Sequence, residues 1–357
     1  MAKYPHGRVT RNDVAREAGT SVAVVSYVIN ISYVINNGPR PVAEATRRRV
    51  EEAIEKTGYR PNSLARALAS GRTKTFGLIV PNISNPFIAS FAHALQQEAL
   101  SNGMVMLLGD SGDSRQRELE LIHSLLSQQV DGLLYNSVDR HPYIEVIQNS
   151  GTPFVMLERV ESGVAVNLLG VDECAAARQV TEHLLHHGYQ DIGIISGPLH
   201  MLNAQDRLRG WQQAMSDFSL QQRPEWIYPA AFTREGGYQA TKLMLQQAQI
   251  PRALFIANEH QAIGCIRALS ESNMTVPGDI ALVCFNGTDH GAFHVPALTS
   301  VRQPVYDMAR KALKILTHPN HQPSVVEFSH QLEIGESCGC LWDDDRRQKE
   351  NDEKNHY

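Results

Sequence analysis

The sequence lacks the features of membrane proteins and of secreted, disulfide-linked proteins. No apolar run approaches the ~20 residues that a membrane-spanning helix needs, and the first thirty residues carry charged side chains where a signal peptide has an apolar segment. Only five of the 357 residues are cysteine, and most lie in apolar runs, as reduced core thiols do. We therefore expect a cytoplasmic protein that makes no contact with a membrane.

The chain also has few of the residue patterns that enzymes and metal sites require. It contains no Gly-rich phosphate loop with a lysine, and His183 and His187, four residues apart on a predicted helix, lack the Glu of a zinc-hydrolase motif. Cys338 and Cys340 are separated by one residue, but no second cysteine pair and no suitably spaced histidine lies near them in the sequence. We expect no catalytic residue, no metal and no cofactor.

Length and charge indicate several domains with different partners. A chain of 357 residues is too long for one ordinary core, since domains average roughly 150 residues. Residues 1–73 hold twelve Lys and Arg against six Asp and Glu, whereas the remainder holds 21 against 32. The basic amino-terminal part is suited to phosphates, and the acidic remainder is not.

The first seventy residues predict a group of short helices. Two helical patterns lie on either side of a Gly19-Thr20-Ser21 turn, and a third helix is predicted over residues 43–57, ending at Gly58. Their apolar residues recur at helical spacing: Val14, Ala15, Ala18, Val25, Val28, Ile29, Val50, Ala53 and Ile54. A fourth helix, residues 62–69, is too short to be stable alone. This order of helix, turn, helix, spacer and small basic helix indicates binding to the DNA double helix.

A hexapeptide is duplicated inside this region. VSYVIN at residues 25–30 is followed at once by ISYVIN at residues 31–36. Six more helical residues would turn the continuation by about 240° and lengthen it by ~9 Å, which would separate the third helix from its packing partners. We therefore expect the first copy to occupy the helix and the second to lie in the following loop, giving a folded unit with impaired or altered DNA binding.

From Thr75 onward, short apolar runs alternate with amphipathic stretches. The predicted strands are FGLIV, VMLLG, GLLYN, FVMLE, NLLGV, IGIISG, ALFIAN and ALVCF, and the predicted helices include residues 87–102, 116–129, 175–187, 203–218 and 305–316. The alternation predicts parallel sheets covered by helices on both faces, and so many strands favour two lobes with a cleft between them. Ligands of such sheets lie beyond the carboxyl ends of the strands.

These segments resemble the lactose repressor family of bacterial transcription regulators over roughly residues 8–340. The resemblance is carried by VTRNDVAREAGTS, GYRPNSLARALASGRT, FGLIVPNISNPF, DGLL, VDECAA, ISGP, RLRGW, FIANEHQAIG, VPGDIALVCF and PALTSVRQP. The family consists of dimeric regulators with a helix-turn-helix, a hinge helix and a two-lobed core like that of periplasmic sugar-binding proteins. The implied fold class is an α/β core of two doubly wound parallel-sheet lobes, preceded by an all-α helix-turn-helix DNA-binding domain.

The resemblance also implies domain boundaries. They are residues 1–60 for the DNA-binding domain, 61–73 for the hinge helix and linker, 74–171 plus 303–328 for the amino-terminal lobe, 172–302 plus 329–340 for the carboxyl-terminal lobe, and 341–357 for a disordered tail.

By resemblance, the second helix reads DNA and the hinge helix enters the minor groove. Val22 and Ala23 offer apolar contacts to base edges and Tyr27 a hydrogen bond, while Leu68 corresponds to a leucine that wedges into the minor groove. The expected DNA-binding residues are Thr10, Ser21, Val22, Ala23, Ser26, Tyr27, Asn30, Asn62, Ala65 and Leu68.

The same resemblance places an effector site between the lobes. Phe87 and Ile88 would form a wall, Phe232 an aromatic face, and Arg207 would bind polar groups of the ligand. The expected effector-binding residues are Asn85, Phe87, Ile88, Glu158, Arg207, Phe232, Asn258, Asn286 and Gln303. Two positions depart from the family pattern, because Asn286 stands where an Asp is usual and Glu259 replaces another Asp. The effector is therefore left open between a sugar, a sugar phosphate, a nucleoside and an acid, and a pocket that has lost its ligand is a further alternative.

The resulting expectation is a homodimeric repressor that binds operator DNA under the control of a small-molecule effector. One alternative stays open, a ligand-binding protein whose operator binding is weakened or lost through the duplication. A transport-type binding protein would have the same core but would need a secretion signal and no basic helix-turn-helix, and neither condition holds.

Overall fold

A computed structural model describes residues 9–29, 42–60, 67, 71–137, 139–157, 165–318 and 322–340. The chain divides into two compact units, Met1–Thr73 and Lys74–Tyr357, each of which is described by itself. Among the described residues, no helix is both long enough and apolar enough to cross a membrane.

The described part of the first unit contains three helices around a small core. They are α1 (Arg11–Glu17), α2 (Val22–Ile29) and α3 (Glu44–Thr57). Val14, Val25 and Val50, one from each helix, are fully buried against one another. The predicted inward residues therefore form the core, and the first copy of the duplicated hexapeptide supplies the carboxyl-terminal part of α2. The second copy lies outside the described residues.

Glycines and one carboxylate set the helix ends of this unit. Gly19 and Gly58 have positive φ angles of 60° and 64°, a conformation that favours glycine and that ends α1 and α3. The Asp13 carboxylate accepts hydrogen bonds from both the backbone N–H and the hydroxyl of Thr10, at 2.9 and 2.7 Å. These bonds lower the pKa of Asp13 below its ordinary value.

The second unit contains two six-stranded sheets. The strands are β1 (Thr75–Val80), β2 (Val105–Asp110), β3 (Leu133–Tyr135), β4 (Phe154–Leu157), β5 (Asn167–Val171), β6 (Ile192–Ser196), β7 (Ile227–Pro229), β8 (Ala253–Ile256), β9 (Ala281–Phe285), β10 (Thr299–Arg302), β11 (Val325–Phe328) and β12 (Gln331–Glu333). The first sheet has the order β11-β5-β4-β3-β1-β2 and the second β12-β10-β9-β8-β6-β7. All pairings are parallel except that between β10 and β12.

Helices cover both faces of each sheet. They are α4 (Pro86–Ser101), α5 (Arg115–Ser127), α6 (Ile144–Ser150), α7 (Glu173–His186), α8 (Leu202–Asp217), α9 (Arg234–Met244), α10 (Glu259–Glu271), α11 (Asp289–Ala292) and α12 (Val305–Thr317). Two apolar clusters flank each sheet. The predicted fold class, two doubly wound lobes after a helix-turn-helix, is confirmed.

The chain passes between the lobes more than once. β5 belongs to the first sheet and β6 to the second, while β10 of the second sheet precedes α12, whose apolar face packs into the core of the first. β11 and β12 then add one strand to each sheet. The sequence pattern did not predict β7, α9, β10, β11 or β12, which are short or only partly apolar. The positions of the four strands depend on the neighbouring strands that they pair with.

Candidate functional site

One face of α2 is exposed on the basic unit. Val22 and Tyr27 are 39% and 43% exposed, and Ala23 lies beside them. Ala23 and Tyr27, four residues apart, share this face, whereas the buried Val25 and Val28, three apart, share the other. The exposed face thus presents the side chains that the sequence proposed as readers of base edges.

The polar residues proposed to contact DNA already have partners within the unit. The Ser21 hydroxyl accepts from the backbone N–H of Val24 at 3.3 Å, which begins α2. Arg11 donates to the Ser26 hydroxyl at 3.4 Å, and the Thr10 hydroxyl donates to Asp13. These bonds orient the hydroxyls and leave lone pairs or protons for a further partner. The proposed Asn30, Asn62, Ala65 and Leu68 lie outside the described residues.

A cavity of about 260 Å³ lies at the carboxyl ends of the strands of both sheets. Its walls follow β1, β2 and β3 on one side and β6, β7, β8 and β9 on the other, as the parallel topology requires. Seven of the proposed effector residues line it: Asn85, Phe87, Ile88, Arg207, Phe232, Asn258 and Asn286. Gln303 instead lines a neighbouring cavity, and Glu158 lies outside the described residues.

Arg207 dominates the electrostatics of this cavity. Its guanidinium is 1% exposed and donates through Nε to the Glu173 carboxylate at 2.6 Å and through Nη1 to the Ala257 carbonyl at 2.5 Å. It also lies 4.0 Å from the centre of the Phe285 ring. Its remaining nitrogen, Nη2, is buried without a hydrogen-bond partner among the described residues. A buried guanidinium nitrogen that has no acceptor within the protein can donate a hydrogen bond to a ligand.

His260 is a second polar group of the same kind. It lines the cavity, is 5% exposed, and its Nε2 has no hydrogen-bond partner within the described part of the chain. Burial, with smaller contributions from Arg234 and His290, lowers the pKa of His260 to about 4. The imidazole is therefore neutral at neutral pH and offers either a donor or an acceptor, depending on its tautomer.

Other polar wall residues are held by the protein itself. Asn258 accepts from the Gln261 N–H at 2.8 Å, which begins α10, and donates to the Phe232 carbonyl at 3.1 Å. Gln303 donates to the Asn286 side-chain oxygen at 2.6 Å, and Asn286 itself adopts φ 66° after β9. Asn258 and Asn286 therefore line the cavity and also hold parts of its wall in place through these hydrogen bonds.

Phe232 is positioned by close packing on a glycine. A Cβ atom at Gly197 would lie only 2.1 Å from the Phe232 ring, so any larger residue there would displace the ring. Phe232 thus packs closely on Gly197 after β6 and lines the cavity. An aromatic face of this kind suits the apolar face of a sugar or a base.

Glu259 does not serve the cavity, contrary to the suggestion that its departure from the family pattern affects the ligand. Its carboxylate accepts from the Thr288 N–H at 3.0 Å and from the Thr288 hydroxyl at 2.8 Å, and it is not among the lining residues. Burial raises the pKa of Glu259. The longer side chain ties α10 to the loop after β9.

Several lining residues were missed by sequence reasoning. They are Pro81, Asp113, Asn136, Pro198, His200, Met201, Asn203, Ala231, Thr233 and His260. Asp113 and Asn136 follow the predicted strands β2 and β3. The rule that ligands lie beyond the carboxyl ends of parallel strands, which identified Asn258, could also have identified them. Residues such as Asn203 and His200 lie in a helix or a loop, where no periodic signal distinguishes them.

No suitably spaced histidine lies near Cys338 and Cys340 in the sequence, but two distant histidines lie beside Cys340 in three dimensions. His187 Nε2 lies 2.9 Å and His183 Nε2 3.5 Å from the Cys340 sulfur. The two histidines precede these cysteines by about 150 residues, a separation that spacing rules for local metal motifs do not cover.

A helix-turn-helix unit with an exposed second helix, followed in the same chain by a two-lobed core with a polar cavity, defines a DNA-binding regulator with an effector-binding core. The comparisons with known proteins agree. Residues 10–62 match the model of "Bacterial regulatory proteins, lacI family", and residues 181–338 match that of "Periplasmic binding protein-like domain".

The full-length relatives agree as well. The chain is similar to catabolite control protein A of Priestia megaterium, with 32% identity covering 92% of this chain and 99% of that protein. It is also similar to the ribose operon repressor of Escherichia coli (strain K12), with 30% identity covering 90% and 96%. The structure of the lac repressor dimer bound to operator and the anti-inducer ONPF shares 26% identity, with a TM-score of 0.80 and coverage of 93% and 99%.

This chain belongs to the lacI family of bacterial regulatory proteins. It is a DNA-binding transcriptional regulator, so the predicted family and regulator class are confirmed, and the alternative of lost DNA binding is not favoured. The relatives are regulators rather than enzymes.

Proposed function

We propose that this protein is a cytoplasmic, non-enzymatic repressor that binds operator DNA as a homodimer and takes a neutral, hydroxyl-rich ring compound as its effector. The observation that carries the effector assignment is the pair of buried polar atoms, Arg207 Nη2 and His260 Nε2, on the wall of one cavity.

The charge balance of the cavity argues against a phosphorylated effector. Arg207 is the single Arg or Lys among the described lining residues, and its charge is already paired with the Glu173 carboxylate. Asp113 adds a carboxylate on the other wall, and burial raises its pKa. A phosphate dianion requires positive charge that this arrangement does not supply.

The remaining lining favours hydroxyl groups on a ring. Six asparagines among the described lining residues offer both donors and acceptors, as vicinal hydroxyls require: Asn82, Asn85, Asn136, Asn203, Asn258 and Asn286. Phe87, Ile88 and Phe232 supply apolar and aromatic surfaces. A sugar or nucleoside thus matches the cavity better than its phosphate ester.

The homodimer is supported by exposed apolar side chains at one edge of the first sheet. Val105 and Leu108 on β2, which is an edge strand, are 50% and 45% exposed, and Leu100 on the adjacent α4 is exposed as well. Apolar side chains at a sheet edge are typical of surfaces that a second chain covers. The related lac repressor structure is a dimer.

Matched ligand pairs test the effector assignment. The full-length protein is titrated by calorimetry with ribose and ribose 5-phosphate, glucose and glucose 6-phosphate, and adenosine and adenosine monophosphate. We expect one neutral compound to bind and its phosphate ester to bind at least ~10-fold more weakly, the loss expected for an uncompensated buried charge. Tighter binding of a phosphate ester, or no binding of any neutral sugar or nucleoside, contradicts the assignment.

A further inference from the structure

Four potential metal ligands converge at one end of the second lobe. The side chains are those of His183, His187, Cys338 and Cys340, and their ligand atoms all lie within 4.8 Å of one another. The two cysteine sulfurs are 3.3 Å apart, and Cys340 Sγ lies 2.9 Å from His187 Nε2 and 3.5 Å from His183 Nε2. None of the four residues lines the effector cavity.

The fold positions this cluster through two rigid segments. His183 and His187 are one turn apart at the carboxyl end of α7, so their rings project from the same face, 4.7 Å apart. The segment before Cys338 is anchored because the Ser337 hydroxyl donates to the Leu282 carbonyl at 2.8 Å and accepts from the Thr299 N–H at 2.9 Å.

Gly339 turns the second cysteine toward the histidines. Its φ is 97°, a positive value that favours glycine, and it lies between the two cysteines. Cys338 is fully buried and Cys340 partly so, and both face α7. The geometry of the Cys-Gly-Cys segment is therefore set by the backbone before any ligand binds.

Several of the distances between ligand atoms approach those of a tetrahedral site. Zn–S and Zn–N bonds of ~2.3 and ~2.1 Å place neighbouring ligand atoms of a tetrahedron ~3.3–3.8 Å apart. Two observed separations, 3.3 and 3.5 Å, lie in that range, a third, 2.9 Å, is shorter, and all four ligand atoms lie within 4.8 Å of one another. The two thiolates neutralise the charge of a divalent cation, and the two imidazoles are uncharged. The occupied, partly buried site therefore has no net charge.

A neighbouring hydroxyl is oriented to support a thiolate at Cys338. The Thr299 hydroxyl accepts from the Gly335 N–H at 2.9 Å, and it lies 3.0 Å from the Cys338 sulfur, to which it donates. A hydrogen bond to the sulfur from a fixed donor stabilises its anionic form and its position. Metal-binding sites generally carry such supporting bonds around their ligands.

We propose that His183, His187, Cys338 and Cys340 form a structural zinc site. The ion attaches the end of the described chain to α7 and so closes a loop of more than 150 residues within the second lobe. Because all four ligands come from the protein, the site has no open position for a substrate, and its role is to stabilise the lobe rather than to catalyse a reaction.

Metal analysis of the full-length protein tests this site. Protein prepared under reducing conditions and equilibrated with Zn²⁺ is expected to retain one zinc per chain after desalting, and zinc to raise its melting temperature. Co²⁺ in place of Zn²⁺ is expected to give the visible absorption of tetrahedral cobalt and a thiolate-to-cobalt charge-transfer band. The cobalt spectrum reports the ligand set directly and needs no variant.

Substitutions identify the ligands. Cys340→Ser and His187→Gln are each expected to weaken zinc binding by at least ~10-fold, since a ligand is lost. His186→Gln is the matched control, because His186 is on the same helix end but packs against the Phe218 ring, 5.4 Å between centroids. Cys174→Ser controls for loss of a thiol elsewhere, as Cys174 contacts Gln213.

Three outcomes would overturn the proposal. The first is less than stoichiometric zinc retention by the reduced parent protein. The second is an equal loss of zinc in His186→Gln or Cys174→Ser, which would indicate nonspecific binding. The third is a pair of thiols at Cys338 and Cys340 that oxidise to a disulfide and show no cobalt spectrum when reduced.

Discussion

Replacing Arg207 by methionine is expected to destabilise the second lobe strongly. The substitution removes the bonds to the Glu173 carboxylate and the Ala257 carbonyl, at 2.6 and 2.5 Å, and the stacking on Phe285. Glu173, itself only 7% exposed, is then a buried carboxylate without its counter-ion. Breaking a buried ion pair in this way costs about 3–5 kcal/mol.

A second substitution separates the ion pair from simple packing. In the double variant Arg207→Met, Glu173→Gln, no charge is left unpaired, and we expect about 0.5–3 kcal/mol of the lost stability to return, the range of coupling energies measured for contacting residues. Arg302→Met is the control, because Arg302 lies on β10 in the same lobe, is 41% exposed, and pairs with a Glu333 carboxylate that is 37% exposed. It should change the free energy of unfolding by less than about 1 kcal/mol.

The assay is urea unfolding of the full-length protein, followed by tryptophan fluorescence. Two of the three tryptophans, Trp211 and Trp226, are buried in the second lobe, and Trp342 is replaced by phenylalanine in every variant, so the signal reports the part of the molecule that contains Arg207. The reasoning is refuted if Arg207→Met costs less than about 1 kcal/mol, or if the double variant is no more stable than the single one.

Three further substitutions test the cavity and the DNA-binding face. Burial lowers the pKa of His260 to about 4 from 6.5, so the unfolded chain binds more protons between these pH values. Stability should therefore fall as the pH is lowered through this window, by up to ~1.4 kcal/mol per pH unit from this residue, and His260→Gln should flatten the pH dependence seen in thermal unfolding; an unchanged slope would contradict the assignment. Gly197→Val should displace the Phe232 ring, which lies 2.1 Å from the new Cβ position, and weaken effector binding in calorimetry at least ~10-fold, whereas undiminished binding would exclude the ring from the site. Ala23→Glu places a negative charge on the exposed face of α2 and should weaken binding to a random duplex in fluorescence anisotropy titrations at fixed salt, with the circular dichroism spectrum unchanged as the control; equal affinity would show that this face does not approach DNA.

Local patterns in the sequence were sufficient for most of the helices and for the long apolar strands. The boundaries of α4, α7 and α8 differ from the predicted ranges by one or two residues, because amphipathic periodicity and capping residues act within a few turns. Short strands such as β10 and β12 escaped prediction, since strand pairing with distant residues decides them.

The candidate effector site was predicted only in part, because only some of its residues follow strands that the sequence reveals. Residues that follow apolar strands, such as Asn258 and Asn286, reach the cavity because parallel strands share one carboxyl edge. His260, Asn203 and His200 carry no such signal, and their arrival at the cavity depends on how the two lobes meet.

The order of secondary-structure elements and the regulator class were therefore determined by the sequence itself, because hydrophobic spacing, turn residues and charge act between near neighbours. Only the tertiary structure decided which distant side chains meet. It paired Arg207 with Glu173, turned Glu259 away from the cavity toward Thr288, and brought His183 and His187 to the cysteines near the end of the chain. These contacts depend on strand order and on the packing of helices across the sheets, which no local spacing of residues encodes.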